Sequence, residues 1–401
     1  MLTPEYLDDC TDKILEIYEE LQTAIIADMI RRIILMGEIS ESTAYQMLVY
    51  EEAGGMYHNA LQIIGKYTNS GDKLLKELFE DAGAHAVLYD DKIYKAAGLN
   101  PLSLTLSPSL LQILTAGYEK TKGDLHNMTM TTALSSQRAF THACNTTYHR
   151  VSSGAFSYTE AIKRAVRDLS KQGITTAHYP TGHADKIDVA VRRAVLTGVN
   201  QTAAQVQIRK AEELGCDLVE TTAHGGARPE HEVWQGKVFS LSGKSKKYQS
   251  FKENTGYGTG EGLCGWNCRH NFHPFFDGLS FSAYSDIDLE EMQNKRYEYN
   301  GQSLTNYEVT QIQRRYERQI RDVKRELAGY SAAEKAAVDS EMAKAMKETF
   351  DRKAVILKNR EAKLTDFLKQ TGFDRQKDRE QVYGFGRSEA SKATWANKKR
   401  K

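Results

Sequence analysis

Side chains capable of chemistry are concentrated in one stretch of the 401-residue chain, Thr221 to Pro274. It begins Thr221-Thr222-Ala223-His224-Gly225-Gly226-Ala227-Arg228-Pro229-Glu230-His231 and continues through Trp234-Gln235-Gly236-Lys237-Val238-Phe239. After a polar segment, 240–261, come Cys264-Gly265-Trp266-Asn267-Cys268-Arg269-His270-Asn271-Phe272-His273-Pro274. Cys264, Cys268, His270 and His273 carry the thiolate and imidazole donors that zinc takes in tetrahedral sites. His231, His224 and Cys216 are donors from farther away. The Cys-x3-Cys-x-His-x2-His spacing is not a common zinc-finger spacing. The same residues also read as cysteines packed as small apolar groups and histidines bonded to turn backbone. That second reading is preferred. No cofactor is expected, and zinc is kept as the alternative.

Catalysis is the other chemistry these residues permit. His224 and His231 suit acid and base roles, Arg228 suits an anion, and Cys264 or Cys268 beside His270 suits a nucleophile. No strand, glycine loop and helix surround them in the order that such sites use. A structural account covers more of the stretch. Gly225, Gly226 and Gly236 supply special backbone angles, and Trp234 and Trp266 anchor a small core. Apolar contact among Trp234, Val238, Phe239, Trp266, Phe272 and Phe275 pins the ends of the 240–261 loop. Arg228 or Arg269 stacks on an indole or bonds turn carbonyls. We therefore expect motif residues with structural roles, at Arg228, His231, Trp234, Gly236, Trp266, Asn267 and Arg269, and no catalytic residue.

The runs Ala227 to His231, Trp234 to Phe239 and Cys264 to His270, with Pro274, resemble the phage minor capsid protein 2 family. That family is related to the Mu F-like head-morphogenesis proteins. Their pattern is Arg-x-x-His, a downstream Gly, then Asn-Cys-Arg and a Pro, matched here by Arg228, His231, Gly236, Asn267, Cys268, Arg269 and Pro274. His270 departs from it, since many Mu F-like members carry a second cysteine there. Ile30-Arg31-Arg32-Ile33, Gly83 to Tyr94 and the charged C-terminal helices are similar to the family's flanks. The resemblance implies a minor structural protein of a tailed-phage head, near the portal, acting in head morphogenesis or DNA packaging and ejection. It implies several copies per virion, assembled in the bacterial host cytoplasm, with portal protein and major capsid protein as partners and contact with packaged DNA. The alternative is a metal-dependent hydrolase or a nucleotide-using, toxin-like enzyme built on the His/Arg/Cys cluster.

The elements that must position this stretch are mostly helical. Six prolines in 401 residues leave long runs that nothing interrupts. Helices are predicted over 5–36, 42–53, 56–65 and 73–90, with breaks at Gly37, at Gly54-Gly55 and at Asn69 to Asp72, and a cap at Ser40 or Ser42. Further helices are predicted over 108–122, 131–150, 157–171 and 186–214, the third opened by a Ser157 to Glu160 capping box. Short strands are expected over 174–179 and 216–222. From about residue 288 two long helices form a hairpin, with Gly329 ending the first and Ser331 and Glu334 capping the second. The expected architecture is mainly α with a small α+β module. It comprises an N-terminal helical bundle over 1–150, a central turn-rich Mu F-like module over 151–287, and a C-terminal helical hairpin with a basic tail over 288–401.

Composition excludes several classes. Lys and Arg total 54 against 53 Asp and Glu, a formal net charge of +1, so no bulk nucleic-acid-binding surface is expected. Lys398, Lys399, Arg400 and Lys401 read as a solvated terminus. Five cysteines are too few and too odd for a disulfide framework, which suggests a reducing cytoplasm. No segment approaches the roughly 18 apolar residues of a membrane span. Asp28, Arg31 and Arg32 break the most apolar early run, and Asp8, Asp9 and Asp12 occupy the place of a signal peptide's basic residues.

Overall fold

The structure is a computed structural model that describes residues 1–36, 42–178 and 182–399. It is mainly α with a small α+β module. In chain order the elements begin with α1 (Pro4–Asp9), α2 (Asp12–Leu35), α3 (Ser42–Ala96), α4 (Pro108–Ser152) and α5 (Tyr158–Gln172). Then come β1 (Thr175–His178), β2 (Ala184–Lys186), α6 (Ile187–Glu213), β3 (Leu218–Thr221) and α7 (Pro229–Glu232). The module continues with β4 (Val238–Ser240), β5 (Gln249–Ser250), α8 (Phe251–Thr255) and β6 (Phe272–Phe275). Last are α9 (Asp286–Asn294), β7 (Arg296–Tyr299), β8 (Gln302–Thr305), α10 (Asn306–Ala336), α11 (Ser340–Thr371) and α12 (Arg387–Lys399). The expected features at Gly37, Ser40, Tyr179, Arg400 and Lys401 lie outside the described residues.

Three expectations about helix breaks are corrected. The glycines at 54, 55 and 65 and the Asn69 to Asp72 segment lie inside α3, one helix of 55 residues. Glycine in a helix costs about 1 kcal/mol against alanine but keeps its N–H, and only proline removes a rung of the ladder. The expected gap between 122 and 131 is likewise continuous within α4. Gly329 lies inside α10, where it is a point of close approach: a Cβ there would collide with Ser170 Oγ. The cap of α11 is Asp339, whose side chain accepts from the Met342 N–H at 2.7 Å, and Ser331 and Glu334 remain within α10. Ser157 does cap α5, accepting from the Glu160 N–H at 3.3 Å.

Two compact units divide the chain. The first comprises Met1–Ile14, Gly71–Leu125 and Val191–Gln311. Its sheet has the order β5-β4-β3-β6, with β3 antiparallel to both β4 and β6, and β4 parallel to β5. Val219 pairs with Phe239 on one side and Pro274 on the other, which brings Thr221 opposite Phe272. Within the same unit α4 and α6 cross at a reciprocal notch. Gly117 leaves room only for Thr202, and Gly198 leaves room only for Thr121. The side chains beyond that crossing reach the sheet: Ala204 of α6 packs with Val219, Trp234, Phe239 and Phe272.

The second unit comprises Leu15–Ser70, His126–Ala190 and Ile312–Lys401. Charge as well as apolar surface ties its helices. Asp188 meets Arg325 at 2.9 Å and Arg321 at 3.3 Å, and Glu19 of α2 lies 3.6 Å from Arg325. Tyr316 of α10 packs on Phe367 of α11, with ring centroids 5.6 Å apart. Lys353 of α11 pairs with buried Glu326 of α10, and Asn397 of α12 donates to the Ala354 carbonyl at 3.2 Å.

Candidate functional site

The sheet of the first unit carries the stretch singled out by sequence. Trp234 is 4% exposed and sits with Val219, Phe239, Phe251, Leu263, Cys264, Cys268 and Phe272 in one apolar cluster. Phe239 and Phe272 meet expectation as pins of the module. Trp266 does not: the residue is 55% exposed. The ring packs against Gly260, whose missing Cβ makes the contact possible, and the Trp266 backbone N–H donates to the Gly260 carbonyl at 2.6 Å. The rings beside Trp234 are His231 and His270, with centroids 4.7 and 4.8 Å away, and a further core aromatic comes from inside the supposed loop. Residues 240–261 contain β5 and α8, and Phe251 inserts into the core with its ring 5.0 Å from that of Phe272.

Two segments close over this core, the 228–236 turn and the 262–271 loop. Arg228 joins them, its Nη2 donating to the Trp266 carbonyl at 2.5 Å. Gly236 has a φ of +67° and no room for a Cβ against Leu289. Thr221 Oγ1 donates to the Trp234 carbonyl at 2.8 Å, fixing the turn on β3. In the opposite segment Cys264 and Asn267 hold left-handed φ values of 59° and 54°. Asparagine tolerates that region through its short polar side chain, whereas cysteine is strained in it. Arg269 reaches out to Asp8 at 3.1 Å and ties the loop to the start of the chain.

The histidines and cysteines separate into three places. Cys264 is wholly buried in the apolar cluster, and its thiol donates to the His270 carbonyl at 3.7 Å. His273 lies on β6 beside buried Glu220, with 3.4 Å between Nε2 and the carboxylate. Cys268 and His270 instead meet His231 from α7. Cys268 Sγ is 3.8 Å from His231 Nδ1 and 3.7 Å from His270 Nδ1. All three side chains are buried, and their ligand atoms lie within 4.8 Å of one another. This is the one cluster of such geometry among the described residues. It combines part of the Cys/His set read from sequence with the more distant His231.

Hydrogen bonds fix the tautomers of both histidines. His231 Nε2 lies 2.8 Å from the Glu261 carbonyl, which can only accept, so Nε2 carries the proton and Nδ1 a lone pair. His270 Nε2 lies 3.1 Å from Gln235 Oε1. The same oxygen accepts the His224 backbone N–H at 3.2 Å, which identifies it as the oxygen, so His270 also carries its proton on Nε2. Asn200 of α6 donates to the Cys268 and His270 carbonyls at 3.1 and 3.0 Å, and Asn271 donates to Asn200 at 2.9 Å. The His224 ring stacks on His270 with centroids 4.3 Å apart. Burial pushes the Cys268 thiol up and His231 and His270 down, the last also through neighbouring His224 and His231. Burial, with Arg269 beside it, takes His224 to about 4.

The sequence motif includes Gln235 but gives it no evident task, and it does not reach Asn200 or single out Glu261. Gln235 stands next to Trp234 in the motif, which was a usable signal. Asn200 is one polar residue in a 27-residue helix, and Glu261 contributes only its backbone carbonyl, so neither has a local signature.

Fold and site together define a mainly helical protein whose small α+β module is locked by motif side chains bonding turn backbone. The description Phage minor capsid protein 2 matches residues 2–369, and the chain belongs to that family of bacteriophage structural proteins. It is 26% identical over 236 residues to a structural protein of Lactococcus phage LL-H, covering 56% of this chain and 60% of that relative. It is 35% identical over 66 residues to a structural protein of Lactococcus phage mv4, covering 16% of this chain and 45% of the relative. The chain thus spans less than two thirds of either relative's length. No solved structure matches. No helix among the described residues is long and apolar enough to cross a membrane.

Proposed function

We propose that this chain is a minor component of the phage head, placed near the portal and acting in head morphogenesis or in DNA packaging and ejection, without catalysis. The observation that carries the reading is the family match over residues 2–369. The module's geometry supports it. Arg228, Trp234 and Gly236 are all engaged in holding the turn-rich segment together, and His231, Cys268 and His270 are buried away from any substrate. Portal protein and major capsid protein are the proposed partners, with assembly in the host cytoplasm and a few copies per virion. The test is quantitative mass spectrometry of purified virions and proheads, combined with cross-linking. Cross-links from this chain to portal protein support the placement. Cross-links confined to tail or host proteins overturn it.

A further inference from the structure

We propose that His231, Cys268 and His270 bind one divalent cation of the zinc class, which clamps the 228–236 turn to the 262–271 loop. The geometry carries the inference. In a tetrahedral zinc site with Zn–S near 2.3 Å and Zn–N near 2.05 Å, sulfur and nitrogen ligands stand about 3.6 Å apart. Cys268 Sγ stands 3.8 and 3.7 Å from the two Nδ1 atoms. One sulfur and two imidazole nitrogens form a donor set suited to zinc and its neighbours and unsuited to magnesium or calcium.

The hydrogen-bond inventory supplies the second observation. Both imidazoles present a lone pair at Nδ1, because carbonyl oxygens of Glu261 and Gln235 hold the Nε2 protons. A cysteine thiol has one hydrogen and can serve only one of them. One nitrogen lone pair in a buried site is therefore left without a donor, a situation proteins avoid. A cation satisfies both nitrogens and the sulfur at once. Its Zn–S bond replaces the S–H bond, and the thiol proton leaves to solvent. Carbonyl acceptors behind ligating histidines are also the usual outer shell of such sites. The three protein donors leave one coordination position for water. Cys264 and His273 lie outside the site, although their spacing in the sequence suggests otherwise.

The site is tested on the full chain, purified without a metal-affinity step. Elemental analysis should find about one zinc per chain. Cobalt(II) added to chelator-stripped protein should give a thiolate-to-cobalt charge-transfer band that saturates at one equivalent. Stripping should lower the melting temperature, and zinc should restore it. Cys268→Ser should lose the band, while Cys264→Ser and His273→Gln keep it. Gln235→Met should weaken zinc binding roughly 10–100-fold, as loss of an outer-shell partner does. Should Cys268→Ser fail to fold, the wild-type cobalt titration still decides. Absence of the band and of any zinc-dependent melting shift in folded wild type overturns the proposal. So does a band kept by folded Cys268→Ser or lost from folded Cys264→Ser.

Discussion

Arg228 Nη2 donates to the backbone carbonyl of Trp266 at 2.5 Å, and this contact bridges two segments separated by 38 residues. Arginine is needed because its guanidinium reaches the carbonyl while its backbone caps α7. A hydrogen bond from a charged donor contributes about 1.5–3 kcal/mol, and partial exposure of the group puts this one at the lower end. Arg228→Ala should lower the melting temperature and speed proteolysis within 241–261. Limited proteolysis followed by mass spectrometry locates the cleavage. Cleavage unchanged from wild type would mean that the bridge does not hold the segments.

The two tryptophans should behave differently. Trp234 is 4% exposed within the core, whereas Trp266 is 55% exposed over Gly260. Truncation of a buried tryptophan costs about 3–5 kcal/mol, a large part of a typical domain stability of about 5–15 kcal/mol. Trp234→Ala should unfold the module, while Trp266→Ala should cost about 1 kcal/mol or less, as surface changes usually do. Denaturant melts followed by far-ultraviolet circular dichroism compare them. Equal losses would contradict the placement of Trp266.

The Asp188 network should set the acid limb of stability. Burial raises its carboxyl, but Arg325 and Arg321 outweigh this and hold it below the ordinary range. A depressed carboxylate stabilises the folded state above its unfolded value of about 4, and that stability is lost as pH falls through the folded value. Asp188→Ala removes the nearest partner of buried Arg325, leaving it Glu19 at 3.6 Å and Asp322 at 3.9 Å, at a cost of about 1.5–3 kcal/mol near neutral pH. Melting temperature measured against pH should fall on the acid side for wild type and be flatter there for Asp188→Ala. Nearby Glu19 works the other way, since burial raises it, and Glu19→Gln separates the two contributions.

Much of this was legible in the residues. The apolar periodicity of 186–214 and the Ser157 cap marked α6 and α5, and β-branched Thr221 and Thr222 beside Leu218 and Val219 marked β3. Helix ends were less legible, because glycine is only weakly unfavourable in a helix and packing decides whether it interrupts. Gly329 shows this: its task is the contact with Ser170, 159 positions away in sequence. The β7–β8 hairpin was overlooked although its signal is local. Asn300-Gly301, with φ values of 50° and 76°, is the pair that a two-residue hairpin turn demands. In the site, the motif identified the right stretch but not the partners. Residue type alone points Trp266 to the core, and spacing along the chain does not show that His231 replaces Cys264 and His273 beside Cys268. Phe251 was hidden inside a segment whose polarity suggested a plain loop.

Quantitative mass spectrometry of purified virions tests the central claim most directly. Peptides from this chain should be present at a few copies per particle, well below the major capsid protein, and should persist after washing that removes adsorbed host proteins. Their absence from both virions and proheads would contradict a role as a minor structural protein of the phage head.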